Sequence, residues 1–498
     1  VIKVSFRKYT PSITSAGITI LGLGPGDPGL LTREAWELLN QIPEIYLRTR
    51  QHPTVAGFPK ELKVHSFDHF YENGESFENV YQHIVDKVIE LGQKPEGVVY
   101  GVPGHPFVAE ATSLEIARQA GEKGVPLRIV EGLSFIDATF TALQVDPLPE
   151  IAVVDAFELA QAHYPSFPPS TPALIAQIHS PKIASEVKLT LMAIYPDEHP
   201  VKLVHGTGTS DCKVENLPLY QIDRSQDIGM LTALYVPSLG ENTSFEAFQE
   251  IVSHLRAPEG CPWDREQTHQ SLRPHLLEET YEVLSALDKE DTRALQEELG
   301  DLLLQIVLHA QIASEFGEFT MADVLRDIHI KLVHRHPHVF GNLQIPDKQG
   351  VLLNWERLKV SEREAEGRQE ESLLAGITIT LPALSQAQSY QKRVARVGFD
   401  WPNVKGVFDK INEEIDETKS AATPEERTAE IGDLFFALVN LARWFEIDAE
   451  SALRQSNTRF YERFTHLERA AQKEGRELAD FSLDEMEALW QAAKHGDI

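Results

Sequence analysis

Cysteine is nearly missing from this 498-residue chain: only Cys212 and Cys261 occur. Two are too few for a disulfide framework or a cysteine-built zinc site, so a reducing, cytoplasmic setting is the simplest expectation. Also lacking is any run near the ~18 uninterrupted apolar residues of a membrane helix, and no membrane partner is expected. Residues 1–17 carry no apolar core of the signal-peptide kind. Positive charge is short as well. The 46 Lys and Arg stand against 76 Asp and Glu, a formal net charge of −30. Such a chain is not built to coat a phosphate backbone, so no nucleic-acid partner is expected. Small anionic substrates stay open, because a local basic pocket can outweigh the global charge and acids can hold metal ions. Apolar and charged contents of 42% and 24% are ordinary globular values. At ~150 residues per domain the length suggests about three domains.

The two halves read differently. From Gly17 to about Pro237, β-type runs (ITILGLG, GVVYGVP, LRIVEG, ALIAQI, VKLVHGTG) alternate with helical ones such as TREAWELLN and ATSLEIARQAGEKG. Alternation of this kind predicts α/β architecture with largely parallel strands. PSLGENTS, residues 237–244, reads as a linker. From Phe245 to about Ala492 almost everything carries helical periodicity.

The helical half repeats itself. Glu278-Glu279-x-x-Glu282 recurs as Glu413-Glu414-x-x-Glu417, and Glu298-x-x-Asp301 as Glu430-x-x-Asp433. Downstream, Arg326, Lys331 and Arg335 recur as Arg454, Arg459 and Arg463; upstream, Trp263 recurs as Trp401. The charged stretch SEREAEGRQEE, residues 361–371, lies between the copies. Residues three apart share a helix face, so two antiparallel helices would gather Glu279, Glu282, Glu298 and Asp301 in one pocket. Glu414, Glu417, Glu430 and Asp433 would gather likewise in the second. Oxygen ligands at this density suit Mg²⁺ or Mn²⁺. The alternative is solvated glutamates on helix surfaces, common in acidic helices. Context argues against it: Asp301 opens DLLLQIVLHAQIA and Asp433 opens DLFFALVNLARWF, helices apolar almost all round and expected to be buried, where an unpaired acid is costly. Metal ions with guanidinium groups suit a polyphosphate. Asn440 and Asn457 have Leu308 and His329 as first-copy counterparts, so the second copy is expected to be the main catalytic centre.

These motifs, with GCPWDREQTH before the first copy, HRHPHVFG after it and KRVARVGFDW in the second, resemble the MazG family of nucleoside triphosphate pyrophosphohydrolases. The resemblance runs from about Phe245 to the C-terminus. It implies an all-α, four-helix-bundle-like fold, a homodimer, and hydrolysis of a nucleoside triphosphate to the monophosphate and pyrophosphate. It also implies catalytic metal ligands Glu414, Glu417, Glu430 and Asp433, with Glu279, Glu282, Glu298 and Asp301 as further metal ligands. Lys392, Arg393, Asn440, Asn457, Arg459 and Arg463 are the implied triphosphate or nucleoside contacts.

In the amino half, LGLGPGDPGLLTREAWELL sets Gly22, Gly24, Pro25, Gly26 and Asp27 between a strand and a helix, where backbone can approach a ligand closely. It is neither a dinucleotide fingerprint nor a P-loop, and a plain tight turn is the alternative. A second loop holds Gly101, Pro103, Gly104 and His105. With VEGLSF and YPDEHPVKLVHGTG, these loops resemble the tetrapyrrole methylase family over about Gly17–Pro237, in a two-subdomain α/β form. That resemblance implies S-adenosylmethionine held by the nine loop residues just named, and a small-molecule methyl acceptor. Gly104-His105-Pro106 departs from the Gly-Asp-Pro of many members, and His105 could equally be a turn residue. The whole chain resembles YabN-like fusions of the two families. Expected units are residues 17–240, 245–360, 374–475 and a helical tail at 476–498. Two other readings remain at this point: methyl transfer as the main activity, or a non-catalytic nucleotide sensor or scaffold.

Overall fold

The computed structural model describes residues 16–71, 77–348 and 372–495, with 350, 351, 354, 355, 357, 358 and 362 between them. Of the expected 361–371 spacer only Glu362 falls among the described residues. Two compact units emerge, Val1–Ile251 and Val252–Ile498.

The first unit is α/β, as its alternating pattern predicts. β1 (Ile18–Gly22), β2 (Glu44–Leu47), β3 (Lys63–Ser66), β4 (Val98–Val102) and β5 (Leu127–Val130) form a sheet of order β3-β2-β4-β1-β5. All its pairings are parallel. The apolar runs of β1 and β4 are buried on both faces, the signature of a covered parallel sheet. On one face Ile20 and Tyr100 pack with Ile84 of α2 (Phe77–Gly92) and Ile116 of α3 (Ala111–Lys123). On the other, Leu21, Ile45 and Leu47 pack with Leu39 of α1 (Arg33–Leu39). Each such fully buried aliphatic side chain contributes ~1.5–3 kcal/mol before entropy is counted.

The second sheet corrects the expectation of parallel strands. β6 (Ala152–Asp155), β7 (Ala173–Ala176), β8 (Pro200–His205), β9 (Lys213–Pro218) and β10 (Ala233–Val236) run in the order β6-β7-β10-β8-β9. Only β6 and β7 pair in parallel; β10 is antiparallel to β7 and β8, and β8 to β9. For β8 and β9 the short 206–212 connection is the physical reason, since a parallel return needs a crossover of a dozen or more residues. α4 (Phe135–Leu143) bridges toward this sheet from a Ser134/Asp137 capping box. α5 (Pro181–Leu191) covers one face through Val187 and Leu191.

His52, before the short helical turn Pro53–Gly57, is buried and its Nδ1 has no partner. Burial holds its pKa down at about 4, against ~6.5 in an unfolded chain. Between those values the unfolded chain takes up a proton that the folded chain refuses. Stability of this unit should therefore fall as pH drops from about 6.5 to about 4, by up to ~3 kcal/mol. Denaturant titrations across that window should show the slope in the native chain and most of it gone in His52→Gln. An equal slope in both would refute the assignment.

The second unit is all-helical among the described residues, as expected. After α6 (Phe245–Arg256), within which the two units divide, come α7 (Arg273–Asp288), α8 (Thr292–Glu315) and α9 (Met321–Arg335). Then follow α10 (Ala383–Ala395), α11 (Val404–Ser420), α12 (Pro424–Trp444), α13 (Ala449–Glu474) and α14 (Leu483–His495). α7 packs on α8 and α11 on α12, each pair joined by three residues, the length that makes antiparallel helical hairpins. Asp291 caps α8, and Thr423 with Glu426 boxes the start of α12 behind Pro424.

α8 and α12 are not buried all round, and this corrects the sequence reading. Val307, Leu308, Ala437 and Val439 are buried, yet Leu303, Ile306, Phe435, Phe436 and Leu438 are exposed. The neighbouring helices of the same chain leave these apolar side chains uncovered. Asp301 and Asp433 lie on exposed positions, and the cost of burying an acid falls on a different residue.

Candidate functional site

That residue is Glu414. It is 2% exposed inside the α11–α12 hairpin. Its Oε1 takes an ion pair from Lys410 Nζ at 2.5 Å, while its Oε2 is buried with no hydrogen-bond partner. Ligand oxygens of Glu414, Glu430 and Asp433 lie within 4.8 Å of one another, as do those of Glu413, Glu414 and Glu417. Desolvation first, and then the charges of Glu417, Glu414 and Asp433, raise the pKa of Glu430 above its ordinary value. An orphaned carboxylate oxygen among acids that strain against ionising together is what a hard divalent cation would relieve.

The first hairpin assembles a looser version. Glu279, Glu282 and Glu298 meet within 4.8 Å; Asp301 lies outside that trio. Its charge still acts on Glu279 and Glu298, both of whose pKa values are raised, desolvation being the first cause in each. Glu279 is only half-buried. Where the second hairpin has Lys410, the first has His275, with Nδ1 3.7 Å from Glu278 Oε2. Of the two hairpins, only the second holds, among the described residues, a buried carboxylate with an unpartnered oxygen.

The predicted polyphosphate contacts divide. Arg459 and Asn457 are exposed on α13 and Lys392 on α10. Arg463 is half-buried, its guanidinium over the Trp490 ring of α14 at 5.6 Å. Others are occupied. Arg393 donates to the carbonyls of Ala375 at 2.6 Å and Leu373 at 3.4 Å. Asn440 Oδ1 accepts from Arg443 Nε at 2.9 Å, and Arg443 also pairs with Asp400. Arg454, grouped with the basic stripe in the sequence, pairs instead with Asp288 at 2.6 Å. It ties α13 to the end of α7.

In the amino unit the two glycine loops do meet. Gly24 and Gly104 exchange backbone hydrogen bonds, 3.2 Å and 2.8 Å long, in an isolated bridge. Gly22 is needed there: a Cβ on it would fall 2.6 Å from Gly132 N and 2.8 Å from Gly104 O. Beside the loops lies a cleft of about 610 Å³, lined by Pro25 and Asp27 after β1, by Ser134, Asp137 and Thr141 around the start of α4, and by Thr209 after β8. Gly22, Gly24, Gly26, Gly101, Pro103, Gly104 and His105 do not line it. His105 Nδ1 accepts from Phe107 N at 3.1 Å, the behaviour of a turn residue.

Residues 17–223 match the family described as Tetrapyrrole (Corrin/Porphyrin) Methylases, and residues 267–340 the MazG nucleotide pyrophosphohydrolase domain. The uncharacterized protein YabN of Bacillus subtilis is 43% identical over 491 residues, spanning 96% of this chain and 98% of that one. This chain belongs to the YabN-like family. A YabN-like chain joins a tetrapyrrole methylase domain to a MazG domain. The MazG nucleoside triphosphate pyrophosphohydrolase/pyrophosphatase of Thermotoga maritima is 45% identical over 51% of this chain and 96% of its own. The nucleoside triphosphate pyrophosphohydrolase of Escherichia coli is 44% identical over 50% of this chain and 96% of its own.

In this YabN-like chain the sequence reading missed three features. Lys410 stands one helical turn before Glu414, a spacing visible in the sequence as i, i+4. Trp490 lies outside the repeat and is recognised only through Arg463. Arg48, at the end of β2, meets Glu110, Tyr71 and Tyr81; nothing local relates residues so distant in the chain.

Proposed function

We propose that the helical half hydrolyses nucleoside triphosphates to the monophosphate and pyrophosphate, with its main centre on α11 and α12. The observation that carries this reading is Glu414: buried, one oxygen without a partner, and within ligand distance of Glu430 and Asp433. Two relatives of this half are named nucleoside triphosphate pyrophosphohydrolases. Glu414, Glu417, Glu430 and Asp433 would hold Mg²⁺ or Mn²⁺, and Glu279, Glu282, Glu298 and Asp301 a further ion. Bound there, the ion supplies an acidified water and neutralises phosphate charge. Lys410 offsets the charge of Glu413 and Glu414 before substrate arrives. Lys392, Asn457, Arg459 and Arg463 supply donors for phosphate oxygens. Arg393 Nη1 and Asn440 Oδ1 would serve only by leaving their present partners. Incubation with a panel of nucleoside triphosphates and Mg²⁺ should release pyrophosphate; absence of release from every member would refute the reading. The exposed apolar stripe of α8 and α12 is taken to be covered by a second copy. Light scattering should give about twice the chain mass, and a monomer at all concentrations would reject that.

For the amino half we propose binding of S-adenosylmethionine beside the Gly22–Asp27 and Gly101–His105 loops. The bridge between these loops and the adjoining cleft support this reading. Calorimetric titration of the folded chain tests it, and no heat of binding would end it. We take the domain limits to be 17–240, 245–360 and 374–475, with 476–498 as tail.

A further inference from the structure

The α7–α8 hairpin departs from its repeat at two core positions. Glu298, Asp301, Gln305 and His309 follow one another at steps of three and four residues, so they share one face of α8. The matching stripe of α12 reads Glu430, Asp433, Ala437 and Leu441, and its last two members belong to the apolar core of the second hairpin. Polar groups in place of a core alanine and leucine cost stability unless they are satisfied. Here they are satisfied only in part. Gln305 is 6% exposed with Oε1 buried and unpartnered, and His309 Nε2 is buried and unpartnered too.

The other nitrogen of His309 does have a partner. Its Nδ1 lies 2.7 Å from Nδ1 of His269, the ring centroids 5.1 Å apart and the planes 7° from parallel. Two Nδ1 atoms at that distance can hold one hydrogen between them but not two. A hydrogen on His309 Nε2 suits the acceptor Gln305 Oε1 one turn away, which leaves Nδ1 to accept from His269. A first added proton is then taken by His269 at Nε2 and makes the bond charge-assisted. A second must enter at His309 Nδ1, where it breaks the contact. Desolvation, and then the charge of His269, lower the pKa of His309, so this second proton enters only below the ordinary histidine value of ~6.5.

The other charged groups of the neighbouring elements are engaged among themselves. Arg256 of α6 pairs with Glu315 of α8 and donates to the carbonyls of Asp264 and Gln267. Arg265 donates to the Pro258 carbonyl, His275 of α7 faces Glu278, and Asp323 and Arg326 of α9 pair together. The two histidines fasten the entry of α7. Arg273 opens that helix behind Leu272, which makes no side-chain cap, and the turn before it is held by Thr268 with Ser271 and by Arg256. Glu279 and Glu282 lie on the second and third turns of the same helix.

We propose that His269 and His309 form a proton-counting latch. Joined while the pair carries no added proton or one, they hold the start of α7 on α8. A second proton releases it and loosens divalent-ion binding by Glu279, Glu282, Glu298 and Asp301. The coupling to ions rests on the ion site proposed above; the latch itself does not.

Hydrogen exchange of the full chain in metal-free buffer, from about pH 7.5 to about pH 4.5, tests the latch. The native chain is compared with His309→Leu, which installs the residue of the second copy, and with His269→Asn. Protection of the 267–276 amides, corrected for the intrinsic pH dependence of exchange, should fall about tenfold in the native chain, the equivalent of one pKa unit. It should stay level in both variants. Thermal midpoints show whether each variant folds, and either one alone decides. Equal slopes in native and variant chains would overturn the latch. Mn²⁺ binding is then measured in Glu414→Ala, which silences the second centre, with and without His309→Leu. Affinity at the remaining centre should drop on acidification about threefold more when His309 is present; an identical drop would overturn the coupling. The two readings fail separately. If residues 267–276 respond and Glu414→Ala binds no Mn²⁺ at any pH, the ion site of the first hairpin falls and the latch stands. If Mn²⁺ binds and exchange ignores both substitutions, the latch alone falls.

Discussion

Glu414→Ala should abolish pyrophosphate release, lowering kcat by ~1000-fold or more, while Glu279→Ala should leave most of it. The difference follows from burial. Glu414 has a desolvated, unpartnered oxygen and neighbours at ligand distance, whereas Glu279 is half-buried in a cluster with no such oxygen. Equal losses in both variants would show that the two hairpins act as one centre. Unchanged release in Glu414→Ala would remove the proposed site altogether. A second measurement guards against simple misfolding. Glu430 is held above its ordinary pKa by desolvation and by three neighbouring acids, so folding is assisted when it carries a proton. For a raised carboxylate that help is complete below the unfolded pKa of ~4.5 and lost as pH rises through the folded value. Without metal, the protection of the α12 amides, corrected for the intrinsic pH dependence of exchange, should therefore fall as pH is raised through that region, and Mg²⁺ should restore it. Glu430→Gln should remove the pH response, protect α12 in metal-free buffer and lose activity together. Sites that concentrate like charge for function commonly show this trade of stability for activity.

The sequence made the acids legible and much of their setting illegible, for identifiable reasons. Glu414, Glu417, Glu430 and Asp433 are three apart on helices joined by a short turn, so periodicity alone brings them to one face. β1 and β4 were equally legible, because a strand covered on both faces must be apolar throughout. β9 was not: KVENLP is a polar edge strand without alternation, and its register comes from pairing with β8. The apolar stripe of α12 states that Phe435 and Phe436 need covering, but periodicity cannot say whether the cover comes from the same chain. Arg454 shows the converse limit. Its place in a basic stripe suggested phosphate, while tertiary packing set it against Asp288, 166 residues away. The first copy, with His275 for Lys410, Leu308 for Asn440 and no orphaned acid among its described residues, keeps its ligands yet lacks there the buried carboxylate on which our reading of the second depends.

Arg48→Met should destabilise the amino-terminal unit by ~3–5 kcal/mol, a large share of the ~5–15 kcal/mol that holds a domain folded. Glu110 is the reason: its side chain is 1% exposed, and Arg48 Nη1 meets its Oε2 at 2.5 Å. Thr112 N and Oγ1 satisfy the other oxygen at 3.1 Å and 2.5 Å. Arg48 also donates to Tyr71 Oη at 3.1 Å and Tyr81 Oη at 2.8 Å. Burial works against the guanidinium charge, but Glu110 and the two tyrosines outweigh it and hold Arg48 more firmly protonated than usual. Removing it strands a carboxylate in the interior, and the cost is that of an uncompensated charge more than of one lost bond. Glu110→Gln should be milder, since an amide can still accept from Arg48 and be buried at lower cost. The double variant Arg48→Met/Glu110→Met should recover most of the loss, because no charge is then left unpaired and apolar volume replaces it. Urea denaturation of the full chain, followed by a probe in the first unit, decides the matter. A double variant as unstable as Arg48→Met would mean that the tyrosine contacts, and not the stranded acid, carry the effect. Recovery in the double variant would show that the ion pair holds β2 to the start of α3 with little net gain over an apolar contact, as buried pairs often do.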